Sequence, residues 1–249
     1  MGYLNAENIT RSFDGVRIIE NVSIHLNEGE IVSLLGVSGG GKTTLFNILS
    51  GLDTPDNDGK VMLNGKDITG KPGEISYMLQ KDLLQPHYTV LDNVALPLIV
   101  KNGMKKKDAR KKAERYFASF GLDGAQKKYP HQLSGGMKQR AALLRTYLAS
   151  EGVALLDEPF SALDTITRSS IHKWYLDIMK EIKLSTLFVT HDIEEAILLS
   201  DRIYILSGKP GKISDEIIID LPKPRPENVT MSEAFLQYKR MIIEKIGQI

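Results

Sequence analysis

The chain has 249 residues, of which 42% are hydrophobic and 25% are charged, and it contains no cysteine. This length allows a sizeable buried core, and the absence of cysteine excludes disulfides and thiolate metal sites. The net charge of +1 gives no reason to expect nucleic acid as a partner. The N-terminus lacks a signal-peptide pattern, and no apolar run approaches the ~20 residues that span a bilayer. We therefore expect a soluble chain, which a partner would have to hold at any membrane where it works.

The first 80 residues are predicted to form several strands, one helix and a hairpin. Apolar alternation and short buried-type runs indicate strands at 8–15, 17–26, 31–36 and 74–80, with a turn at 27–30. A helix is predicted from about Lys42 to Ser50. The Asn64-Gly65 pair within 58–68 is typical of a two-residue hairpin turn.

The middle of the chain, about 90–148, has the spacing of helices. Its basic run 105–112 is interrupted by Asp108, is followed by Glu114 and has no interleaved aromatic residues, which favours a solvated helix face over a nucleic-acid contact. Strands return at 152–158, 185–192 and 202–208, with helices at 165–183 and 193–200 between them. This alternation predicts a parallel sheet in an α/β core that a helical insert divides.

A glycine-rich stretch between the strand at 31–36 and the first helix fits G-x-x-x-x-G-K-[ST]. It consists of Gly36, Val37, Ser38, Gly39, Gly40, Gly41, Lys42 and Thr43, and Thr44 adds a second hydroxyl. Glycines let backbone N–H groups wrap phosphate oxygens at a helix N-terminus, the lysine reaches the outer phosphates, and the Thr43 hydroxyl can ligate Mg²⁺. The alternative is a flexible turn, but the lysine, the hydroxyl, the spacing and the flanking elements all favour a site for a nucleoside triphosphate.

Two carboxylates end the apolar run at 153–156. Asp157 is suited to hold Mg²⁺ through water, and Glu158 is suited to act on an attacking water molecule. On its own such a run is more typical of a capped strand end. The phosphate loop about 115 residues earlier makes the catalytic interpretation the stronger one.

A second candidate anion site is Ser134-Gly135-Gly136, which precedes a predicted helix. A helix N-terminus with bare backbone donors and a hydroxyl can bind an anion. An ordinary serine N-cap with a glycine turn explains the same residues equally well. The residues alone leave the two interpretations open.

Taken together, these motifs resemble the nucleotide-binding subunit of ATP-binding cassette (ABC) transporters, over about residues 2–215. The resemblance identifies 36–43 as Walker A, Gln80 as the Q-loop glutamine, 133–136 as the signature, 153–157 as Walker B, 161–164 as the D-loop and His191 as the switch histidine. Phe13, Met137 and Thr43 stand where Tyr, Gln and Ser are commoner in the family. None of these departures removes a catalytic group.

The resemblance implies a role for each matching residue. Phe13 would stack on adenine, although a core aromatic is the alternative at that position. Gln80 would touch Mg²⁺, together with Thr43 and Asp157, and would sense a membrane subunit. Glu158, His191 and Lys42 would be catalytic. Ser134, Gly135, Gly136 and Asp164 would face ATP or its interface in a second copy of the chain.

The resemblance also implies the fold, the cofactors and the partners. The fold would be a P-loop NTPase (RecA-like) core with an N-terminal antiparallel β subdomain and a helical insert at about 81–148, followed by a C-terminal extension at 216–249. ATP and Mg²⁺ would be bound at the cytoplasmic face of a membrane. The partners would be a second copy, transmembrane permease subunits and, indirectly, a solute-binding protein, with no nucleic acid.

Segments 159–168, 189–213 and 221–226 resemble importers of the nitrate, sulfonate and taurine group. An ATPase of an exporter or lipoprotein-release system remains an alternative. A soluble ABC protein of repair or translation is less well supported, since only 53 residues separate Gln80 from Ser134 and the chain has one cassette. A P-loop GTPase would carry Asn-Lys-x-Asp, which is absent, and a small-molecule kinase would lack the Ser134 motif.

Overall fold

The structure, a computed structural model, describes residues 3–37, 39–161, 163–226 and 228–247. Ser38 of the predicted phosphate loop and Ala162 of the predicted D-loop lie outside the described residues. None of the helices within those ranges is both long and apolar enough to cross a membrane.

Strands and α-helices alternate along most of the chain. The strands are β1 (Leu4–Phe13), β2 (Val16–Leu26), β3 (Ile31–Gly36), β4 (Lys60–Leu63), β5 (Lys66–Asp67), β6 (Ser76–Met78), β7 (Val153–Asp157), β8 (Ser185–Thr190), β9 (Arg202–Ser207) and β10 (Lys212–Ile218). The α-helices are α1 (Lys42–Leu49), α2 (Val90–Val100), α3 (Lys106–Glu114), α4 (Gly135–Ala149), α5 (Thr165–Ile182), α6 (Ile193–Leu199) and α7 (Glu233–Gly247). Short 3-10 helices lie at Pro130–Gln132 and Val229–Met231.

The chain divides into two compact units. The first comprises Met1–Ile75, Leu155–Glu158 and Ser185–Ile249, and the second comprises Ser76–Ala154 and Pro159–Leu184. The second unit therefore contains α2 to α5, and the first contains α1, α6 and α7 together with most of the strands.

An antiparallel sheet in the first unit has the strand order β2-β1-β4-β5. The β1–β2 turn is Asp14-Gly15, with φ of 49° and 78°, and the β4–β5 turn is Asn64-Gly65, with φ of 50° and 77°. Positive φ at both central residues is the backbone of the hairpin turn whose twist matches that of the strands. The hairpin predicted at Asn64-Gly65 is therefore present.

A second sheet has the order β10-β9-β3-β8-β7-β6. Strand β3 pairs in parallel with β8 and with β9, and β10 returns antiparallel to β9. Every residue of β3 is buried, which explains its continuous apolar sequence, because a central parallel strand is covered on both faces. At the far edge, within the second unit, the Ser76 hydroxyl of β6 donates to the Val153 carbonyl of β7 at 3.1 Å.

The C-terminal segment packs into the core of the first unit. Phe235 and Ile242 of α7 join a buried cluster with residues of α6, β9 and β10. Helix α7 begins at Glu233, after the 3-10 turn at Val229–Met231. The Ser232 hydroxyl then caps α7 by accepting from the Phe235 N–H at 3.2 Å.

Candidate functional site

The phosphate loop follows β3 and has the backbone that its glycines allow. Gly39 and Gly41 have φ of 79° and 92°, in the left-handed region that residues with a Cβ rarely adopt. At Gly36 a Cβ would lie 2.4 Å from the Leu206 carbonyl oxygen, so a side chain there would force β3 and β9 apart. The glycines are thus required by the conformation and by the close packing of the loop.

The N-terminus of α1 presents backbone donors at the end of this loop. Gly41 is the N-cap residue, and it has no side chain that could cap the first N–H groups of the helix. Thr43, which is exposed, and Thr44, which is half-buried, lie in the first turn. Uncapped N–H groups and the positive end of the helix dipole favour an anion at this position.

Lys42 lies buried beside the loop that precedes it. Its Nζ donates to the Gly36 and Val37 carbonyl oxygens, each at 2.8 Å. Burial lowers the pKa of Lys42 from its ordinary value of 10.5, and the nearby carboxylates of Glu158 and Asp157 oppose that shift. The buried ammonium group is thus hydrogen-bonded to the loop backbone and is stabilised in its charged form by the two acidic side chains.

Asp157 and Glu158 follow each other at the carboxyl end of β7. Asp157 is buried as the last residue of the strand. Glu158 has a positive φ of 45°, which is uncommon for a residue with a side chain, and its N–H donates to the Val189 carbonyl of β8 at 3.1 Å. Strained backbone of this kind concentrates at functional sites, where it aims a side chain.

His191 lies at the end of the neighbouring strand β8 and contacts Glu158. Its Nδ1 is 3.3 Å from Glu158 Oε1, and its side chain is 59% exposed. Asp192, the next residue, caps α6 by accepting from the Glu194 and Glu195 N–H groups. The histidine is therefore held between a strand end and a capped helix, and 32 residues of sequence separate it from its partner Glu158.

Phe13 lies at the tip of the β1–β2 hairpin, where it pairs with Val16 across the turn. Its side chain is 45% exposed. The alternative of a core aromatic, which the sequence left open, does not fit this exposure. An exposed ring at a hairpin tip is available to stack on a flat ligand.

Gly211 supports the phosphate loop and was not singled out in the sequence. Its N–H donates to the Ile18 carbonyl at 2.8 Å, and its own carbonyl accepts from the Glu20 N–H at 3.0 Å. A Cβ at Gly211 would lie 2.3 Å from the Gly40 carbonyl oxygen. The turn between β9 and β10 thus packs on the loop so closely that only glycine fits, and no local pattern predicts this contact.

The second unit contains the other motifs of the sequence. Gln80 is exposed, two residues after β6. Ser134 is exposed and is the N-cap of α4, where its hydroxyl accepts from the Met137 N–H at 3.3 Å. Gly135 lies against the Leu163 side chain, with 3.4 Å between its Cβ position and Leu163 Cδ2. The signature and the D-loop are therefore adjacent, and Asp164, the last residue of the D-loop, is exposed.

Two side chains that the sequence did not single out hold the segment after Gln80. Arg145 of α4 donates to the Leu83 carbonyl at 2.8 Å and the Asp82 carbonyl at 2.5 Å. Asn93 of α2 accepts from the Gln85 N–H at 2.6 Å through its side-chain oxygen. The helix that begins at the signature is thus hydrogen-bonded to the loop that follows Gln80.

Comparisons with known proteins agree with this arrangement. The ABC transporter family model matches residues 19–161. The formylaminopyrimidine import ATP-binding protein ThiZ of Halalkalibacterium halodurans is 47% identical over 193 residues, 78% of this chain and 74% of that protein. The aliphatic sulfonates import ATP-binding protein SsuB of Bacillus cereus is 40% identical over 230 residues, 92% of this chain and 88% of that protein.

A solved structure extends the agreement to the fold. A dimeric ATP-binding cassette in a post-hydrolysis state, bound to ADP and Pi, superposes with a TM-score of 0.74 and 30% sequence identity, covering 88% of this chain and 100% of the other. The α/β, P-loop NTPase fold predicted from the sequence is confirmed. This chain therefore belongs to the ABC transporter family as one of its ATPase subunits.

Proposed function

We propose that this chain hydrolyses ATP at the edge of its mixed sheet and thereby powers an importer of small solutes. One observation carries the proposal. The buried Lys42, the uncapped N-terminus of α1 and the Glu158–His191 pair all belong to the same compact unit. A cation, backbone donors and a carboxylate on a histidine are the parts that phosphoryl transfer to water requires.

In this mechanism the phosphate loop binds the β- and γ-phosphates. Lys42 exchanges its hydrogen bonds to the Gly36 and Val37 carbonyls for phosphate oxygens. The N–H groups of the loop and of the first turn of α1 donate to the same phosphates. Because these donors are already in place, they stabilise the charge that develops during transfer without having to reorganise, and such preorganised donors supply much of the rate enhancement in phosphoryl transfer.

The residues of the first unit also suit a magnesium ion. Thr43 offers an exposed hydroxyl in the first turn of α1, and Asp157 offers a buried carboxylate at the end of β7. These hard oxygen donors are the type that Mg²⁺ prefers. When bound, the ion would neutralise negative charge on the phosphates.

Glu158 and His191 act on water. The Glu158 carboxylate accepts a hydrogen bond from the attacking water and draws its proton away as the oxygen approaches the γ-phosphorus. His191, 3.3 Å from that carboxylate, fixes its orientation and reaches the γ-phosphate from its exposed position directly after β8. The positive φ of Glu158 supports this role, since strained backbone of this kind concentrates at functional sites.

The other half of the site would come from a second copy of the chain. Ser134, Gly135 and Asp164 are exposed in the second unit, at the N-terminus of α4 and beside it. We propose that they close on the γ-phosphate bound by the partner, so that hydrolysis removes the group that joins the two protomers. The Ser134 hydroxyl already accepts from the Met137 N–H, so its contact with phosphate would add to its capping role.

The proposed setting is the cytoplasmic face of a membrane, where permease subunits receive the motion and a solute-binding protein delivers the cargo. The importer relatives at 40% and 47% identity support import over export. Nitrate, sulfonate, taurine or a related small solute stays the prediction for the cargo. The segment after Gln80, hydrogen-bonded to Arg145 and Asn93, is the proposed contact for the permease.

Glu158→Gln tests the proposal, because it keeps the shape of the side chain and removes its capacity as a base. We expect ATP turnover to fall below about 1% of that of the unaltered chain, while ATP binding is retained and a dimer accumulates. Steady-state phosphate release and size-exclusion chromatography with ATP measure the two effects. A variant that stays monomeric at every ATP concentration would contradict the two-protomer site.

A further inference from the structure

Arg11 and Phe13 lie on one face of the β1–β2 hairpin, as side chains two residues apart on a strand do. The Arg11 guanidinium carbon is 4.8 Å from the centroid of the Phe13 ring. That distance is within the range of a cation–π interaction. Arg11 therefore lies against one face of the ring, while 45% of the Phe13 side chain remains exposed.

Two carboxylates of the loop after α1 hold the guanidinium in this position. Nε and Nη2 of Arg11 contact the two carboxylate oxygens of Asp53 at 3.0 and 2.9 Å, and Nη1 donates to Asp56 at 2.7 Å. Asp56 also accepts from the Ser12 N–H at 2.6 Å, and its own N–H donates to the Thr10 carbonyl at 2.8 Å. Bidentate arginine–carboxylate geometry fixes orientation as well as charge, so Arg11 has little freedom to leave the ring.

The hairpin tip is separated from the phosphate loop by a short length of β2. A Cβ at Gly41 would lie 2.4 Å from Ile19 Cγ2, so β2 packs directly on the loop at that point. Val16, which pairs with Phe13, is three residues closer to the tip, or about 10 Å at the usual rise of a strand. A nucleotide whose phosphates lie in the loop can therefore extend its base to the open face of Phe13.

We propose that Arg11, held by Asp53 and Asp56, is a positioning residue that presents Phe13 as a rigid platform for the base of the nucleotide. This inference rests on the proposed function, in which the phosphate loop binds a nucleoside triphosphate. The cation offsets the negative charge on one face of the ring, so the opposite face repels the π-electrons of a base less strongly. The platform favours ligands that carry a base over inorganic phosphates.

The same contacts limit what the platform can recognise. Phe13 has no hydrogen-bonding group, and all three guanidinium nitrogens of Arg11 contact Asp53 or Asp56. Stacking without hydrogen bonds reads the presence of a base and not its identity. Adenine and guanine nucleotides should therefore gain affinity from the platform about equally.

The experiment compares dissociation constants for ATP, GTP and inorganic tripolyphosphate, measured by calorimetry with Mg²⁺. In Arg11→Ala we expect ATP and GTP to bind about 3- to 10-fold more weakly, the size of a partly exposed cation–π contact, and tripolyphosphate to bind within about twofold of its original affinity. Arg11→Lys keeps the positive charge but lacks the bidentate guanidinium group, and it should restore part of the lost affinity for ATP and GTP. Arg240→Ala is the matched control, because Arg240 is an exposed arginine paired with Glu233 at 3.6 Å. This variant should leave all three dissociation constants unchanged.

A second pair of variants separates Arg11 from Phe13. Asp53→Asn with Asp56→Asn keeps Arg11 but releases it, and should weaken ATP and GTP without changing tripolyphosphate. Phe13→Ala should lose at least as much base-dependent affinity as Arg11→Ala.

Each contrary result has one meaning. Equal weakening of all three ligands in Arg11→Ala would show a general structural defect and would overturn the inference. A base-dependent loss in Phe13→Ala but not in Arg11→Ala would overturn the role of Arg11 alone. No base-dependent loss in Phe13→Ala would overturn the platform itself. Failure of the unaltered chain to bind ATP would instead overturn the proposed function.

Discussion

Lys42 is the residue on which phosphate binding depends most directly. Its ammonium group is buried and donates to two carbonyl oxygens of the loop that it will share with phosphate. Burial lowers its pKa, so the environment penalises the charge until an anion arrives to balance it. A buried cation beside uncapped helix donors is therefore a site prepared for a polyanion.

Lys42→Ala should weaken ATP binding by about 10- to 100-fold, as expected for the ~1.5–3 kcal/mol of a hydrogen bond to a charged group. Hydrolysis should fall further, because the lysine also stabilises charge in the transition state. Calorimetric titration with ATP measures the first effect and phosphate release the second. Lys60→Ala is the control, since Lys60 is an exposed lysine of β4. Equal ATP affinity in Lys42→Ala and the unaltered chain would refute the assignment of the phosphate loop.

Among the elements, α2 and α3 are joined by a charge cluster at the N-terminus of α2. Asp92 accepts from Arg110 at 2.8 and 2.6 Å, lies 3.3 Å from Lys106 Nζ and accepts from the Thr89 hydroxyl at 2.9 Å. These donors, Arg110 above all, lower the pKa of Asp92 from 3.8 to about 2. The basic run of α3, read from sequence as a solvated face, thus contributes two of its residues to a structural contact.

Asp92→Asn should lower the free energy of unfolding by about 2 kcal/mol at pH 7, following the size of the pKa shift. A carboxylate whose pKa is lower in the folded chain stabilises that state above pH 3.8 and loses the effect as pH falls towards 2. The difference between the two proteins should therefore be constant from pH 7 to 5 and about half as large at pH 3. Urea unfolding at each pH measures it.

The control for this change is Asp177→Asn, which removes an exposed carboxylate 3.7 Å from Lys180. An exposed pair of this kind contributes less than ~1 kcal/mol, so the variant should unfold close to the unaltered chain. A loss in Asp92→Asn that does not exceed the control, or one that grows at low pH, would refute the stabilising role of the cluster.

In the molecule as a whole, the C-terminal segment belongs to the hydrophobic core of the first unit. Phe235 and Ile242 are 1% and 0% exposed and pack in one cluster with Ile197, Ile203 and Ile205. Arg225 donates to the Leu198 and Ser200 carbonyls at the end of α6. The domain boundary at 215/216 stays a prediction, and β10 runs across it from Lys212 to Ile218.

Phe235→Ala should destabilise the chain by about 3–5 kcal/mol, since it opens a cavity in a closely packed cluster. Thermal unfolding without nucleotide measures the change. Met231→Ala is the control, because that side chain is 82% exposed and its removal should cost little. If Phe235→Ala unfolds at the same temperature as Met231→Ala, the C-terminal helix does not contribute to the core.

Much of the site could be predicted from sequence because most of its chemical groups lie in short, continuous segments of the chain. The glycines and Lys42 lie within eight consecutive residues, and Asp157 and Glu158 are adjacent. A stretch of consecutive residues is enough to predict where the backbone needs glycine and where a strand ends. The same holds for the hairpin at Asn64-Gly65. The role of Ser134 stayed open for the same reason, since a cap and an anion site use the same local residues.

The contacts that could not be predicted join residues far apart in the chain. His191 reaches Glu158, Arg11 reaches Asp53 and Asp56, and Gly211 packs on Gly40 only after the strands have taken their order. Strand order depends on which apolar faces pack against each other. The periodicity of a sequence shows that one face of an element is buried, but it does not show which other element covers that face. Residue types and local spacing therefore determined the phosphate loop, the acidic strand end and the family. Only the tertiary structure decided which side chain contacts the Glu158 carboxylate, which residue packs on the phosphate loop and which cation lies against the Phe13 ring.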